Sequence, residues 1–202
     1  MEHQKCPDIL RNSRLIALDI ETTGLSIPYN TIIELGVIEM VDGKLRTEYT
    51  KMFSGGHSSM YLVRKVHHIR DCERRGKQTF AECAGKIAEF LSNSVIVTHN
   101  GKAFDMPMIQ RKLKDAGHEI RDFRQIDTLA LVRKLRKEED DEMDDKQERI
   151  RGRNTLGSLC AEFGLQYGGE TGDNAHRGLE DAWACLDLLF YLVNSGKAKL
   201  AI

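Results

Sequence analysis

Two acidic residues at the end of an apolar run give the strongest chemical signal in the sequence. Asp19 and Glu21 lie at the end of residues 15–20, which we interpret as a buried strand. Because side chains alternate along a strand, the two carboxylates point to the same side. Two such charges facing one spot repel each other and are costly to desolvate, and a divalent cation removes both problems. On this pair alone, the alternative that Asp19 only caps the following turn remains open.

Three more residues extend this pattern. Asp105 follows a polar cluster after the apolar strand 94–98, where open α/β sheets bind ligands, although it also suits a helix N-terminus electrostatically. Asp181 begins an apolar helix, where a buried acid must be paired or liganding. His176 lies five residues earlier in a glycine-rich stretch, and a lone loop histidine is usually only solvated. Each residue is a weak signal alone, but together and in this order they predict a metal-dependent catalytic centre.

Hydrophobic periodicity predicts the elements that position these residues. An apolar stretch at 32–40, an Asp-Gly turn and alternation at 45–53 indicate a β-meander. Thr79 with Glu82 forms a capping-box signature for a helix over 79–92. Further helices are predicted at 104–116, from 128, at 156–163 and at 179–194, with strands at 94–98 and 124–127. We therefore expect one α/β domain over 14–202, with a mixed sheet flanked by helices, an N-terminal extension over 1–13 and a charged insertion over 133–153.

Composition sets limits on partners and compartment. The formal net charge of −1 gives no sign of a nucleic-acid partner, so affinity for phosphates must come from local patches or bound metal. Five cysteines without a CxxC pair favour free thiols in a reducing compartment, and a zinc site at His67, His68 and Cys72 is a minor alternative. The N-terminus has no apolar signal core, and no run is long enough to span a bilayer. We expect an intracellular protein, cytoplasmic or nuclear, with no membrane partner.

These motifs resemble those of the DEDDh (DnaQ-like) 3′→5′ exonucleases, which have a ribonuclease H-like fold. The matching segments begin with Asp19-Ile20-Glu21-Thr22-Thr23-Gly24-Leu25 and continue with His99-Asn100, Phe104-Asp105, and His176 with Asp181. Segments at 66–69 and 79–82 are similar to the proofreading subunit of bacterial replicative polymerases, and those at 126–129 and 156–160 lie where the family has similar segments. The resemblance covers residues 14–195, and it extends to three-prime repair exonucleases.

The resemblance implies a role for each matching residue. Asp19, Glu21 and Asp181 would bind two Mg²⁺ or Mn²⁺ ions directly, with Asp19 shared between them, and Asp105 would act through water. His176 would be the general base. The residues expected to bind the 3′-terminal nucleotide are Thr22, Thr23, Leu25, His67, Asn100 and Phe104. The implied reaction is hydrolysis of phosphodiester bonds from the 3′ end, which releases nucleoside 5′-monophosphates.

The substrate class depends on weaker features. Three residues separate Asn100 from Phe104, whereas two residues separate the corresponding positions in the bacterial proofreading type. His68 replaces a glycine that is common in the family. DNA is favoured over RNA as the substrate, although an exoribonuclease of the same family remains an alternative because no motif here reads the 2′-hydroxyl. We expect a single-stranded 3′ end as the substrate and a polymerase or repair protein as a possible partner. Base stacking on Leu25 and Phe104 would tolerate any base.

A basic segment and a non-catalytic alternative complete the expectations. Residues 64–77 hold six basic residues against two acidic ones, which indicates either a track for the substrate backbone or a solvated charged loop. The insertion 133–153 is predicted to be solvated or to extend a helix. A binding module that retains the fold without catalysis would normally have lost one carboxylate or the histidine, and all five residues are present.

Overall fold

The architecture is a five-stranded mixed sheet with helices on both faces. The computed structural model describes residues 3–142, 154–168 and 177–200. The strands are β1 (Leu15–Thr22), β2 (Ile32–Val41), β3 (Lys44–Met52), β4 (Val95–Thr98) and β5 (Arg124–Asp127). Their order across the sheet is β3-β2-β1-β4-β5. The β1–β2 and β2–β3 pairs are antiparallel, whereas β1–β4 and β4–β5 are parallel. The predicted fold class, a ribonuclease H-like mixed sheet, is confirmed.

Helices follow the meander and alternate with the parallel strands. They are α1 (Tyr61–His67), α2 (Asp71–Arg74), α3 (Phe80–Leu91), α4 (Asp105–Asp115), α5 (Thr128–Glu142), α6 (Leu156–Phe163) and α7 (Gly178–Asn194). The predicted capping box of α3 is formed, since Thr79 Oγ1 accepts from the Glu82 amide and Glu82 Oε2 accepts from the Thr79 amide. Gly164 follows Phe163 and ends α6 at a φ of 66°. The short helices α1 and α2 were not predicted.

The central strand β1 is buried on both faces, which fixes its position. Leu15 and Ala17 belong to an apolar cluster shared with α6 and α7, whereas Ile16, Leu18 and Ile20 belong to a second cluster shared with α3 and α4. Opposite faces of one strand therefore contact opposite layers of helices. The two carboxylates of β1 lie at the end of the middle strand of the sheet.

The predicted extension and insertion flank this core. Leu10, in the N-terminal extension, is fully buried, and the His3 ring stacks on Trp183 with centroids 3.7 Å apart. The helix α5 continues through the first part of the predicted insertion as far as Glu142, and residues 143–153 lie outside the described residues. Within the described part of the chain, no helix is long and apolar enough to cross a membrane. The described cysteines are free thiols.

Candidate active site

The end of β1 presents two carboxylates on one side of the sheet. Asp19 pairs across the β1–β2 ladder with Gly36, and Glu21 pairs with Glu34. Both side chains are only partly exposed. The two side chains therefore point to the same side of the sheet, as strand alternation predicted. The strand β1 that carries them has a neighbouring strand on each side.

Two glycines bring the third carboxylate to this point. A Cβ on Gly36 would lie 1.9 Å from the Gly178 carbonyl carbon, so the absence of a side chain lets the first turn of α7 lie directly against β2. Asp181 follows in that first turn and is buried. Carboxylate oxygens of Asp19, Glu21 and Asp181 all lie within 4.8 Å of one another. We call these three residues the carboxylate cluster. Among the described residues it is the one group of this kind, so the zinc alternative at His67 has no support.

Asp105 lies next to the carboxylate cluster without joining it. It is the first residue of α4, and its Oδ1 accepts a hydrogen bond from the Ile20 amide at 3.3 Å. The loop before it is held by Asp127 at the end of β5, whose carboxylate accepts from the amides of Asn100 and Lys102 at 3.0 Å each. Sequence reasoning did not single out Asp127, although an acid at a strand end followed by a helix could have suggested it. Asp127 positions the loop that leads to Asp105.

The carboxylates perturb one another strongly. Burial, followed by the charges of Asp105 and Glu21, raises the pKa of Asp19 well above its usual value. Burial and then the Asp181 and Glu34 charges raise the pKa of Glu21 from 4.5 to about 9. Burial also raises the pKa of Asp105 to about 7. A cation among these oxygens would offset the repulsion, and carboxylate oxygens are the ligands that hard divalent ions prefer. The residues present therefore fit a divalent metal.

A buried ion pair beside the cluster was not anticipated. Glu34 has no exposed surface, and its Oε1 accepts from Arg177 Nη2 at 2.7 Å, while Arg177 Nε lies 3.2 Å from Oε2. The same Glu34 Oε2 accepts from the Gly178 amide at 3.0 Å. Glu34 thus fixes both the residue before α7 and the first residue of α7. The two partners are 143 residues apart, so no local pattern announces the pair.

A tyrosine also reaches the cluster. The Tyr167 hydroxyl donates to the Asp181 carboxylate, and burial followed by the Asp181 charge raises the Tyr167 pKa. Its ring lies over Gly157 in α6, where a Cβ would approach the ring within 2.8 Å. Sequence reasoning missed this residue, because the contact depends on how α6 packs against α7.

The other expected site residues have different surroundings. His176 lies outside the described residues, although its neighbour Arg177 is held by Glu34. The hydroxyl of Thr22 donates to the Gly24 carbonyl and that of Thr23 to Asn30 Oδ1, so both shape the loop after β1. Leu25, by contrast, is 74% exposed.

The remaining three expected substrate-binding residues range from buried to exposed. His67 is fully buried, Asn100 is exposed with a φ of 63°, and Phe104 is half-buried at the start of α4. His67 Nδ1 accepts from the Ile69 amide at 2.9 Å, while His67 Nε2 has no hydrogen-bond partner among the described residues. A buried donor of this kind calls for a partner that the described residues do not supply.

Comparison with known proteins shows which family the sequence matches. Residues 16–189 match the exonuclease family model RNase_T. The chain is 27% identical to DNA polymerase III PolC-type of Clostridium perfringens over 93% of this chain and 12% of that protein. It is also 27% identical to DNA polymerase III subunit epsilon of Buchnera aphidicola, over 95% of this chain and 77% of that protein. The chain thus spans about an eighth of the PolC-type protein.

Solved structures share the fold. Exonuclease I of E. coli in complex with a dT13 oligonucleotide superposes with a TM-score of 0.75 at 15% identity, covering 89% of this chain and 41% of that one. Exonuclease X in complex with 5′ overhanging duplex DNA gives a TM-score of 0.63 at 19% identity, covering 92% and 94%. At these identities the likeness concerns the fold alone. Since the family model covers most of the sequence, the chain belongs to the exonuclease family, in agreement with its resemblance to the DEDDh type.

Proposed function

We propose that this chain is a metal-dependent 3′→5′ exonuclease that removes nucleoside 5′-monophosphates from the 3′ end of nucleic acid. The observation that carries the proposal is the convergence of three carboxylates, two from β1 and one from α7, within 4.8 Å. Membership of the exonuclease family supports it independently. The PolC-type and epsilon relatives are both DNA polymerase III proteins, which is consistent with the same chemistry.

Asp19, Glu21 and Asp181 would hold two Mg²⁺ or Mn²⁺ ions, and Asp105 would act through water. Two such ions, when bound, neutralise charge at the attacked phosphorus and make water more acidic. Two dications balance the four carboxylates, which relieves the repulsion that raises the pKa of Glu21. Tyr167 would keep the Asp181 carboxylate oriented through its hydroxyl.

His176 would take the proton from the attacking water. An ordinary histidine pKa near ~6.5 suits a general base at neutral pH. The support from the structure is indirect: the adjacent Arg177 is fixed by Glu34, and the following residues lead into the turn that carries Asp181.

The terminal nucleotide would lie between the loop after β1 and the loop before α4. Leu25 and Phe104 would contact the base. The backbone around the nucleotide would come from Thr22, Thr23 and Asn100. His67, whose pKa is lowered chiefly by burial, would donate to the substrate its Nε2 hydrogen, which has no partner among the described residues. DNA is the favoured substrate because the relatives are DNA polymerase III proteins. We further propose that the chain acts inside the cell, with a polymerase or repair protein as a partner.

Two alternatives remain, and one assay separates them. The first is an exoribonuclease of the same family, and the second is a binding module that retains the fold without catalysis. A 5′-labelled single-stranded DNA and its RNA counterpart are incubated with Mg²⁺, with Mn²⁺ and with EDTA, beside an Asp19→Asn control. We expect a metal-dependent ladder that shortens DNA from its 3′ end. Faster shortening of RNA would favour the exoribonuclease, and intact strands under every condition would favour the binding module.

A further inference from the structure

Exposed apolar side chains are concentrated in two segments near the carboxylate cluster. Eight large apolar residues of the described chain are exposed, and six of them lie either in the loop after β1 or in α1 with its N-cap. These six are Leu25, Tyr29, Met60, Tyr61, Leu62 and Val66. Tyr29 is 81% exposed and Tyr61 is 61% exposed. Clustered exposure of this kind marks an interaction surface rather than ordinary scatter.

The two segments are joined to each other next to the cluster. The Met60 amide donates to the Thr23 carbonyl at 3.0 Å, and His57 Nε2 lies 3.2 Å from the Tyr29 carbonyl oxygen. Thr23 follows Glu21 by two residues. The exposed aromatic rings therefore belong to segments anchored at the end of β1, where the carboxylates lie.

Basic side chains alternate with these apolar residues. Lys65 Nζ lies 4.6 Å from the centre of the Tyr61 ring, and Arg64 beside it is also exposed. Neither Arg64 nor Lys65 forms an ion pair within the ranges that the structure describes. In the following segment Arg70 pairs with Glu73 and Arg74 pairs with Asp71. The basic segment predicted over 64–77 is therefore partly neutralised. Its other four basic residues form no ion pair in the described part of the chain; they are Arg64 and Lys65 in α1 and Arg75 and Lys77 after α2.

We propose that α1 and the loop after β1 bind the single strand on the 5′ side of the terminal nucleotide. Tyr29 and Tyr61 stack on bases, and Arg64 and Lys65 contact phosphates. The inference rests on the proposed function, because it needs a 3′ end in the active site. Nucleic acid fits better than a protein partner, since aromatic rings beside unpaired cations suit a strand that alternates bases with phosphates. Bases of an intact duplex would not be free to stack there.

Binding in an inactive background tests this surface. Fluorescence anisotropy of a labelled oligothymidylate of about twelve nucleotides is measured with Asp19→Asn protein, alone and combined with Tyr61→Ala, Tyr61→Phe, Lys65→Ala or Leu45→Ala. Leu45 is an exposed apolar residue of β3 outside both segments and serves as the control. We expect Tyr61→Ala to raise Kd about 5- to 100-fold, with little change for Tyr61→Phe or Leu45→Ala. Lys65→Ala should reduce the slope of log Kd against log salt by about 0.7.

The outcomes separate this inference from the function on which it rests. A dinucleotide carries fewer bases on the 5′ side of the terminal nucleotide, so the Tyr61→Ala penalty should be smaller for it than for the long strand. Equal binding of the long strand by Tyr61→Ala and its parent would overturn the inference, while ladder formation by the wild type would leave the exonuclease proposal standing. Self-association that disappears in Tyr61→Ala, without any change in strand binding, would assign the surface to a protein contact instead.

Discussion

Removing one partner of the ion pair between Glu34 and Arg177 should destabilise the start of α7. Glu34 is fully buried and accepts hydrogen bonds from Arg177 and from the Gly178 amide, whereas the Arg177 side chain is 31% exposed. Replacing Arg177 with Met would leave a carboxylate buried without its cation, which typically costs about 3–5 kcal/mol. Replacing Glu34 with Gln keeps an acceptor for the Gly178 amide and leaves a guanidinium that water can reach. We therefore expect Glu34→Gln to be the milder change.

Thermal and urea unfolding in EDTA measure this asymmetry without a metal contribution. For a chain of this size about 1 kcal/mol shifts Tm by roughly 2–4 °C, so Arg177→Met should lower Tm by about 6–20 °C. Arg111→Met is the control, because the Arg111–Asp115 pair is about half exposed on both sides and is expected to contribute about 0–1 kcal/mol. If Arg177→Met is as stable as Arg111→Met, or if Glu34→Gln is the more damaging change, the buried pair does not anchor α7 as we argue.

Three further predictions concern the cluster and its surroundings. His176→Ala should reduce turnover by about 10²–10⁴-fold in the ladder assay, and an unchanged rate would remove His176 from the role of base. In EDTA, stability should fall as the pH rises from 4.5 to about 9, because the raised pKa of Glu21 makes the folded state bind more protons than the unfolded state. Calorimetric scans that show flat or rising stability over this window would contradict that reasoning. Gly36→Ala should abolish activity and lower stability by about 1–3 kcal/mol, since its Cβ would overlap the Gly178 backbone. Gly85→Ala in α3 meets only the His118 side chain and should be tolerated; equal activity of the two variants would show that α7 can shift freely.

The carboxylates of the candidate active site could be predicted because their signals are local. Strand alternation relates Asp19 to Glu21, and the strand-to-helix boundary makes Asp105 conspicuous. Asp181 is conspicuous because it is an acidic residue in the first turn of an otherwise apolar helix. Their convergence needed the three-dimensional structure, because it depends on Gly36 admitting α7 against β2.

The residues that support the cluster were missed because their contacts are distant in sequence. In the sequence, Glu34 is one acidic residue within an apolar strand, and its partner Arg177 lies 143 residues later. Tyr167 reads as a polar aromatic near a helix end until α6 and α7 are packed together. Residues so far apart in the sequence come into contact only when the chain folds, and no periodicity in a single sequence relates them.

The short helix α1 escaped prediction for a different reason. Its seven residues provide barely two turns, and Met60 at its N-cap offers no side-chain hydrogen bond. The helix ends at His68, which has a φ of 59° in the left-handed region that glycine favours. Because a histidine occupies the position at which glycine commonly ends a helix, the end of α1 could not be recognised from the sequence.

The most direct test of the central claim is calorimetric titration of Mn²⁺ into the wild-type protein and into Asp181→Asn. Asp115→Asn, a surface acid paired with Arg111, controls for general loss of charge. We expect up to two Mn²⁺ per wild-type chain, an affinity at least about tenfold weaker for Asp181→Asn, and no change for Asp115→Asn. Equal affinity in all three proteins would show that the carboxylate cluster is not the metal site, and the proposed chemistry would then have no centre at this position.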